Sequence, residues 1–281
     1  MKFDLLIATN GYRNTWRAIE YGAWLAALMR VKVNLLGVAE RRSLAEIDDH
    51  HPLEDIFASA VELFKEKGLE YNLVIQNGDA EHIIPEMANQ GDFITVVSPL
   101  GRSWLRHWLM GRSFRGLMEQ IKGPILYVPE IRLPLKKILI SAGGLGYEVN
   151  AENLALQVAT LSRAEVTILH VIPPTDLDYP TSNMARDHVS DLQDTDTVLG
   201  RSLRQGLEIA KDAKLTAKLI TRQGHVVEEI VAEVRAGNYD MVCMGSRYGG
   251  HTLRQLYTPN VTAEVAEAVN CPVLTVRHTP Q

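Results

Sequence analysis

The chain has 281 residues, of which 46% are hydrophobic and 22% charged, and its formal net charge is −5 at pH 7. That balance suits a globular protein of about two domains. The acidic excess argues against nucleic acid or an anionic membrane as the main partner, and the longest apolar run, Tyr21–Met29, is far short of the ~20 residues a membrane-spanning helix needs.

The N-terminus enters a strand pattern at once (KFDLLIA), which is expected to leave no room for a signal peptide. Short apolar runs then predict strands at Phe3–Thr9, Lys32–Gly37, Tyr71–Gln76, Phe93–Ser98 and Ile125–Val128. Helical patterns fall between them, at 14–30, 53–67, 80–90 and 112–121. In the first of these helices Trp16, Ile19, Ala23, Ala26 and Ala27 recur at helical spacing and predict one buried stripe. The order then repeats, with strands near 137–142, 165–170, 215–221, 240–245 and 273–276. The cysteines, Cys243 and Cys271, both sit in apolar strand-like surroundings. They are expected to be buried reduced thiols, which goes with a cytoplasmic address.

The second series copies the first. Residues 3–38 and 136–171 align without a gap at one offset (163 − 30 = 133), with identities that include Leu6/Leu139, Gly11/Gly144, Ala18/Ala151, Arg30/Arg163, Val33/Val166 and Val38/Val171. GPILYVP (123–129) and CPVLTVR (271–277) close the two halves alike. A unit this long is a duplicated domain rather than a solenoid repeat. The halves are expected at 1–130 and 135–281, joined near the prolines of PEIRLP, with an acidic, proline-flanked insertion in the second at about 174–200.

Strand–helix alternation requires a parallel sheet with right-handed crossovers and helices on both faces. The expected architecture is therefore two tandem doubly wound α/β domains. In such sheets ligands bind beyond the carboxyl ends of the strands, where strand order reverses. The loops to inspect follow the first strand (Asn10–Asn14 and Gly143–Tyr147) and the fourth (Ser98–Gly111 and Gly245–Asn260). After the fourth strand the halves read SPLGRSWLRHWLMGRS (98–113) and GSRYGGHTLRQLYTPN (245–260), each running into a helix. Glycine loops let backbone N–H groups converge, and a helix N-terminus adds positive potential, so a phosphate chain suits both places. Arg102, Arg106, Arg112 and Arg115 add guanidinium groups in the first half.

These residues, together with LLIATNG (5–11) and DMVCMGSR (240–247), resemble the universal stress protein family, and its tandem two-domain members in particular. The resemblance covers nearly the whole chain outside the linker and the insertion. It implies five-stranded parallel-sheet domains of the adenine nucleotide alpha hydrolase-like type, usually paired through their last strands. Either an intramolecular pseudo-dimer or a homodimer of these chains is compatible with that. ATP-binding members carry G-x2-G-x9-G-S/T after strand four and an Asp ending strand one. In the first half Ser98, Gly101 and Gly111 keep that spacing, with Ser98 for the first glycine, Arg112 for the small hydroxyl residue, and Asn10 for the Asp. In the second half Gly245 is kept, Gly249 comes one residue late, Pro259 and Asn260 replace Gly and Ser/Thr, and Gly143 replaces the Asp.

The resemblance thus implies ATP or a related adenine nucleotide, with Mg alongside it, and at most slow hydrolysis. Gly101, Gly111 and Ser113 would cradle phosphate, with charge from Arg102 and Arg112. Asn10 would meet the ribose or base, and the backbone of Val38 would face the base. Val171, Gly245, Arg247, Gly249 and Asn260 are the matching candidates in the second half. The alternative is a regulatory member that binds a protein partner and no nucleotide, favoured by the eroded motif and the acidic insertion. Other signals carry less. AGGLG (142–146) has Val149 where a dinucleotide loop needs its third glycine. Gly146 and Tyr147 cannot supply the Asp-Ser pair of an ATP pyrophosphatase loop, and the HIGH motif of nucleotidyl transferases does not occur. Asp48, Asp49, His50 and His51 read as a solvated loop, and His107 as packing between Trp104 and Trp108.

Overall fold

The computed structural model describes residues 3–40, 53–100, 113–143, 149–172, 198–246 and 261–277. It divides into two units, Met1–Ile131 and Arg132–Gln281. The first contains β1 (Asp4–Thr9), a 3-10 turn (Arg13–Thr15), α1 (Trp16–Met29), β2 (Val33–Ala39), α2 (Leu53–Glu66), β3 (Tyr71–Asn77), α3 (Ala80–Ala88), β4 (Phe93–Val97), α4 (Ser113–Gln120) and β5 (Ile125–Tyr127). The second contains β6 (Lys137–Ser141), α5 (Val149–Ser162), β7 (Glu165–Ile172), α6 (Val198–Asp212), β8 (Ala217–Gln223), α7 (Val226–Gly237), β9 (Met241–Ser246), α8 (Val261–Ala268) and β10 (Val273–Arg277).

Both units have the same topology. The first orders its strands β3-β2-β1-β4-β5, the second β8-β7-β6-β9-β10, and every pairing within them is parallel. Order reverses between β1 and β4 in one unit and between β6 and β9 in the other. The expected doubly wound α/β fold is present twice. Strand interiors such as Leu5, Leu6, Ile7 and Ala8 are buried on both faces, as a sheet covered by helices requires.

The likeness of the halves reaches individual backbone angles. Arg30 and Arg163 both end a helix in the left-handed conformation, with φ of 55° and 58°. Beyond the insertion the offset becomes 146, and there Gly68 (φ 64°) answers Lys214 (φ 57°), while Gly78 and Gly224 share a φ of 153°. At Lys214 the second half makes the same left-handed turn with a residue that carries a Cβ, a conformation glycine adopts more easily.

Several expectations need correction. The stripe of α1 is wider and turned: Ala18, Ile19, Tyr21, Gly22, Ala23, Leu25 and Ala26 are buried, Trp16 is half-buried and Ala27 exposed. A Cβ on Gly22 would come within 2.5 Å of Ile7 Cδ1, so glycine lets α1 approach the sheet closely. Strand β7 does not stop at His170 but runs to Ile172. Helix α6 begins at Val198, inside the range expected for the insertion, and residues 173–197 lie outside the described residues.

Cys243 on β9 and Cys271 before β10 are both free and buried. Burial raises both thiols above their ordinary values, Cys271 to about 12. A thiolate is the reactive form, so the native protein should leave Ellman's reagent unreacted over minutes. Guanidinium-denatured protein should release two equivalents, one for each cysteine. Fast reaction of either thiol in the native state would contradict this packing.

Candidate functional site

Three candidate residues of the first half lie at the carboxyl ends of β1, β2 and β4. Asn10 follows β1 directly, Val38 is the next-to-last residue of β2, and Ser98 follows β4. All three are buried, with exposures of 2%, 0% and 2%. Asn10 and Ser98 flank the point where strand order reverses.

The loop after β1 is built by short polar bonds. Thr9 Oγ1 lies 2.6 Å from Thr15 Oγ1, and the Gly11 N–H donates to Thr9 Oγ1 at 3.2 Å. Thr15 Oγ1 donates to the Tyr12 carbonyl at 2.6 Å. Gly11 has a φ of 87°, in the left-handed region that glycine adopts without strain. This turn carries the chain over the strand end and directs Asn10 inward.

Asn10 meets a residue that the sequence reading did not single out. Its Nδ2 donates to Glu40 Oε2 at 2.9 Å, and the Ala80 backbone N–H donates to Glu40 Oε1 at 3.1 Å. Ala80 opens α3, whose cap Asp79 accepts from the Glu81 N–H at 3.0 Å. One carboxylate therefore joins the end of β1 to the positive end of α3. The available signal was an acid two residues beyond Val38 combined with an amide in place of an expected acid. In the second half the position matching Glu40 is Pro173.

Two polar atoms remain. Asn10 Oδ1 and Ser98 Oγ are buried and have no hydrogen-bond partner among the described residues. Leaving such a group unpaired costs about 1–3 kcal/mol, so each of these calls for a partner. Nearby, three residues after Asn10, Arg13 and Trp16 line a cavity of about 330 Å³ with Asp55, Ile56 and Ser59 of α2. That volume is at the lower end for small-molecule sites. Neither Arg13 nor Trp16 was singled out in the sequence as a contact.

Gly101, Arg102, Gly111 and Arg112 lie outside the described residues, and Ser113 is the first residue of α4. Arg115 is exposed and pairs with Glu119 at 3.3 Å, an i,i+4 contact on α4.

The mouth of the second half is different. Gly143 is exposed and presents no side chain. Val171 is buried within β7. Beside it, His170 Nδ1 donates to the Ala142 carbonyl at 2.8 Å, which ties the ends of β6 and β7 together. The Gly245 carbonyl accepts from Thr262 Oγ1 of α8 at 3.3 Å. Arg247, Gly249 and Asn260 lie outside the described residues. Among the described residues no group of three or more metal-ligating side chains converges, and no helix is long and apolar enough to cross a membrane.

The second half also carries a charge network centred on Arg222, the next-to-last residue of the edge strand β8. Arg222 Nε contacts Glu229 Oε2 at 2.6 Å, Arg222 Nη1 contacts Glu233 Oε2 at 2.8 Å, and Tyr239 Oη donates to Glu233 Oε1 at 3.0 Å. Burial pushes the Tyr239 phenol up to about 12, so it stays a donor at neutral pH.

Comparison with known proteins agrees with this architecture. Residues 134–277 match the model of the universal stress protein family. Over 148 residues the chain is 26% identical to the universal stress protein YxiE of Bacillus subtilis (strain 168), spanning 50% of this chain and 98% of that protein. The crystal structure of a universal stress protein from Archaeoglobus fulgidus DSM 4304 superimposes with a TM-score of 0.72 at 17% identity, covering 98% of both chains. A functionally unknown protein from Pseudomonas aeruginosa PAO1 gives a TM-score of 0.66 at 13% identity, covering 98% of this chain and 92% of the other. At such identities the two structures speak to the fold alone. The family match spans just over half of the chain, and the chain belongs to the universal stress protein family.

Proposed function

We propose that this universal stress protein binds an adenine nucleotide, ATP or a close relative, in its first half, and that the second half has lost the equivalent site. The observation that carries this reading is the pair of buried, unpartnered polar atoms, Asn10 Oδ1 and Ser98 Oγ, on either side of the strand-order reversal. Asn10 Oδ1 is an acceptor suited to a ribose hydroxyl or an exocyclic amine, and Ser98 Oγ both donates and accepts. Val38 places backbone beside them at the end of β2. In the second half Gly143 supplies nothing comparable, and His170 already holds the Ala142 carbonyl.

When bound, the nucleotide brings phosphates and their Mg, for which Gly101, Gly111, Ser113, Arg102 and Arg112 are the candidate holders. The roles assigned to this chain's residues are binding and orientation, with no step in which they move a proton. A second reading, a regulator that engages a protein partner without nucleotide, draws on one observation. Glu40 is already committed to Asn10 and the start of α3, and it sets a carboxylate at the mouth.

Isothermal titration of ligand-free protein with ATP, ADP and AMP in the presence of Mg separates the two readings. The expected result is ATP binding that weakens about tenfold in Ser98→Ala, equivalent to ~1.4 kcal/mol. Heat with none of the three nucleotides would remove this proposal and leave the protein-partner reading.

A further inference from the structure

We propose that two copies of this protein pair edge to edge through β3, in an antiparallel two-fold arrangement centred on Val74. Strand β3 ends the strand order of the first half. An unpaired edge of this kind is a template for another strand unless charge, proline or cover blocks it. The sequence Tyr71–Asn77, YNLVIQN, contains no charged residue, proline or glycine. Among the described residues, exposed large apolar side chains occur at Leu73, Ile75 and Leu161, and the first two, 43% and 52% exposed, share one face of this edge.

The duplicated half serves as an internal control. Its counterpart edge, β8, reads AKLITRQ, with Lys218 exposed and Arg222 held by Glu229 and Glu233. Leu219 and Thr221, at the positions of Leu73 and Ile75, are only half-exposed. Among the described residues, one edge strand carries charged side chains and its counterpart carries none.

The occupant follows from the pattern itself. An antiparallel pair centred on Val74 sets Leu73 of each copy opposite Ile75 of the other, Asn72 opposite Gln76, and Tyr71 opposite Asn77. Leucine meets isoleucine on one face, amides meet on the other to either side of a central Val74 pair, and the terminal Tyr71–Asn77 pair alone sets unlike side chains together, so a second copy of β3 matches it at five of the seven positions. Because the strand is uncharged, the two-fold brings no like charges together. Such a two-fold contact is isologous and closes at the dimer. A seven-residue ladder with four apolar side chains covers well under the ~1,200 Å² of a standard interface. The dimer is therefore weak, with a Kd on the order of 10–100 µM.

Sedimentation velocity tests this on the full chain. The wild type should run as a monomer at about 2 µM and largely as a dimer at about 400 µM. Leu73→Lys with Ile75→Lys sets lysine opposite lysine and should stay monomeric at both concentrations. Leu73→Lys with Ile75→Glu sets lysine opposite glutamate in this register and should restore the dimer. Both sites are exposed, and circular dichroism verifies that the variants fold. A wild type that stays monomeric at the higher concentration, a dimer that survives the double lysine, or a Lys–Glu variant that remains monomeric would each overturn the proposal.

Discussion

Asn10→Asp lowers the stability of the first half by about 3 kcal/mol at neutral pH. The substitution removes the Nδ2 donor that Glu40 Oε2 accepts at 2.9 Å and puts a carboxylate in its place. Asn10 is 2% exposed, so water screens the repulsion poorly. Burial and the neighbouring charge both raise the new carboxyl above its unfolded value of about 4. A group raised in this way favours the protonated fold. Its cost is therefore absent below about pH 4, grows as pH rises, and levels off above the raised value. Asn10→Asp combined with Glu40→Gln should recover to within about 1 kcal/mol, because the glutamine amide can donate to the introduced carboxylate while its oxygen still accepts from the Ala80 N–H. All four tryptophans lie in the first half (Trp16, Trp24, Trp104 and Trp108). Urea unfolding followed by their fluorescence reads that half directly. Equal midpoints for Asn10→Asp and wild type would refute the pairing.

Arg222→Met should destabilise the second half by about 2 kcal/mol. The change leaves Glu229 and Glu233 together without their shared cation, and Glu233 is 7% exposed. The full cost of breaking a buried pair, ~3–5 kcal/mol, is discounted because about a third of Arg222 faces solvent. The duplication supplies the comparison. At an offset of 146, the first half has Gln76, Ile83, Met87 and Phe93 where the second has Arg222, Glu229, Glu233 and Tyr239. The packing matches as well: a Cβ on Gly78 would meet Ile83, one on Gly224 would meet Glu229, and Gly91 and Gly237 face Phe93 and Tyr239. Transplanting all four first-half residues should therefore cost less than Arg222→Met alone, since no charge is left unpartnered. Differential scanning calorimetry resolves this. A quadruple variant less stable than the single one would show that the network stabilises its half beyond mutual neutralisation.

The strands and helices were legible because apolar periodicity is written locally and the chain states it twice. Expected and observed strands differ by two residues at most, as at β8, expected from 215 and found from Ala217. The 3-10 turn at Arg13–Thr15 was missed because side-chain hydroxyls close it, Thr15 to Tyr12 and Thr9 to Thr15, and periodicity does not register them. Asn10, Val38 and Ser98 lie at the ends of β1, β2 and β4, which apolar runs alone locate in the sequence. Glu40 escaped since its meaning lies in two contacts, 30 and 40 residues away in the chain. The extra width of the α1 stripe escaped for a similar reason. Gly22 is a core position because Ile7 occupies the space a side chain would need.

Glu40 also makes the mouth of the first half a mechanical junction. Its two carboxylate oxygens hold the end of a strand and the leading turn of α3 at once. A visitor that draws the Asn10 amide toward itself loosens one of those grips and slackens the other. Arrival at the crevice would thus be felt at Ala80 as quicker deuterium uptake, and a partner resting on α3 could sense occupancy without touching the visitor.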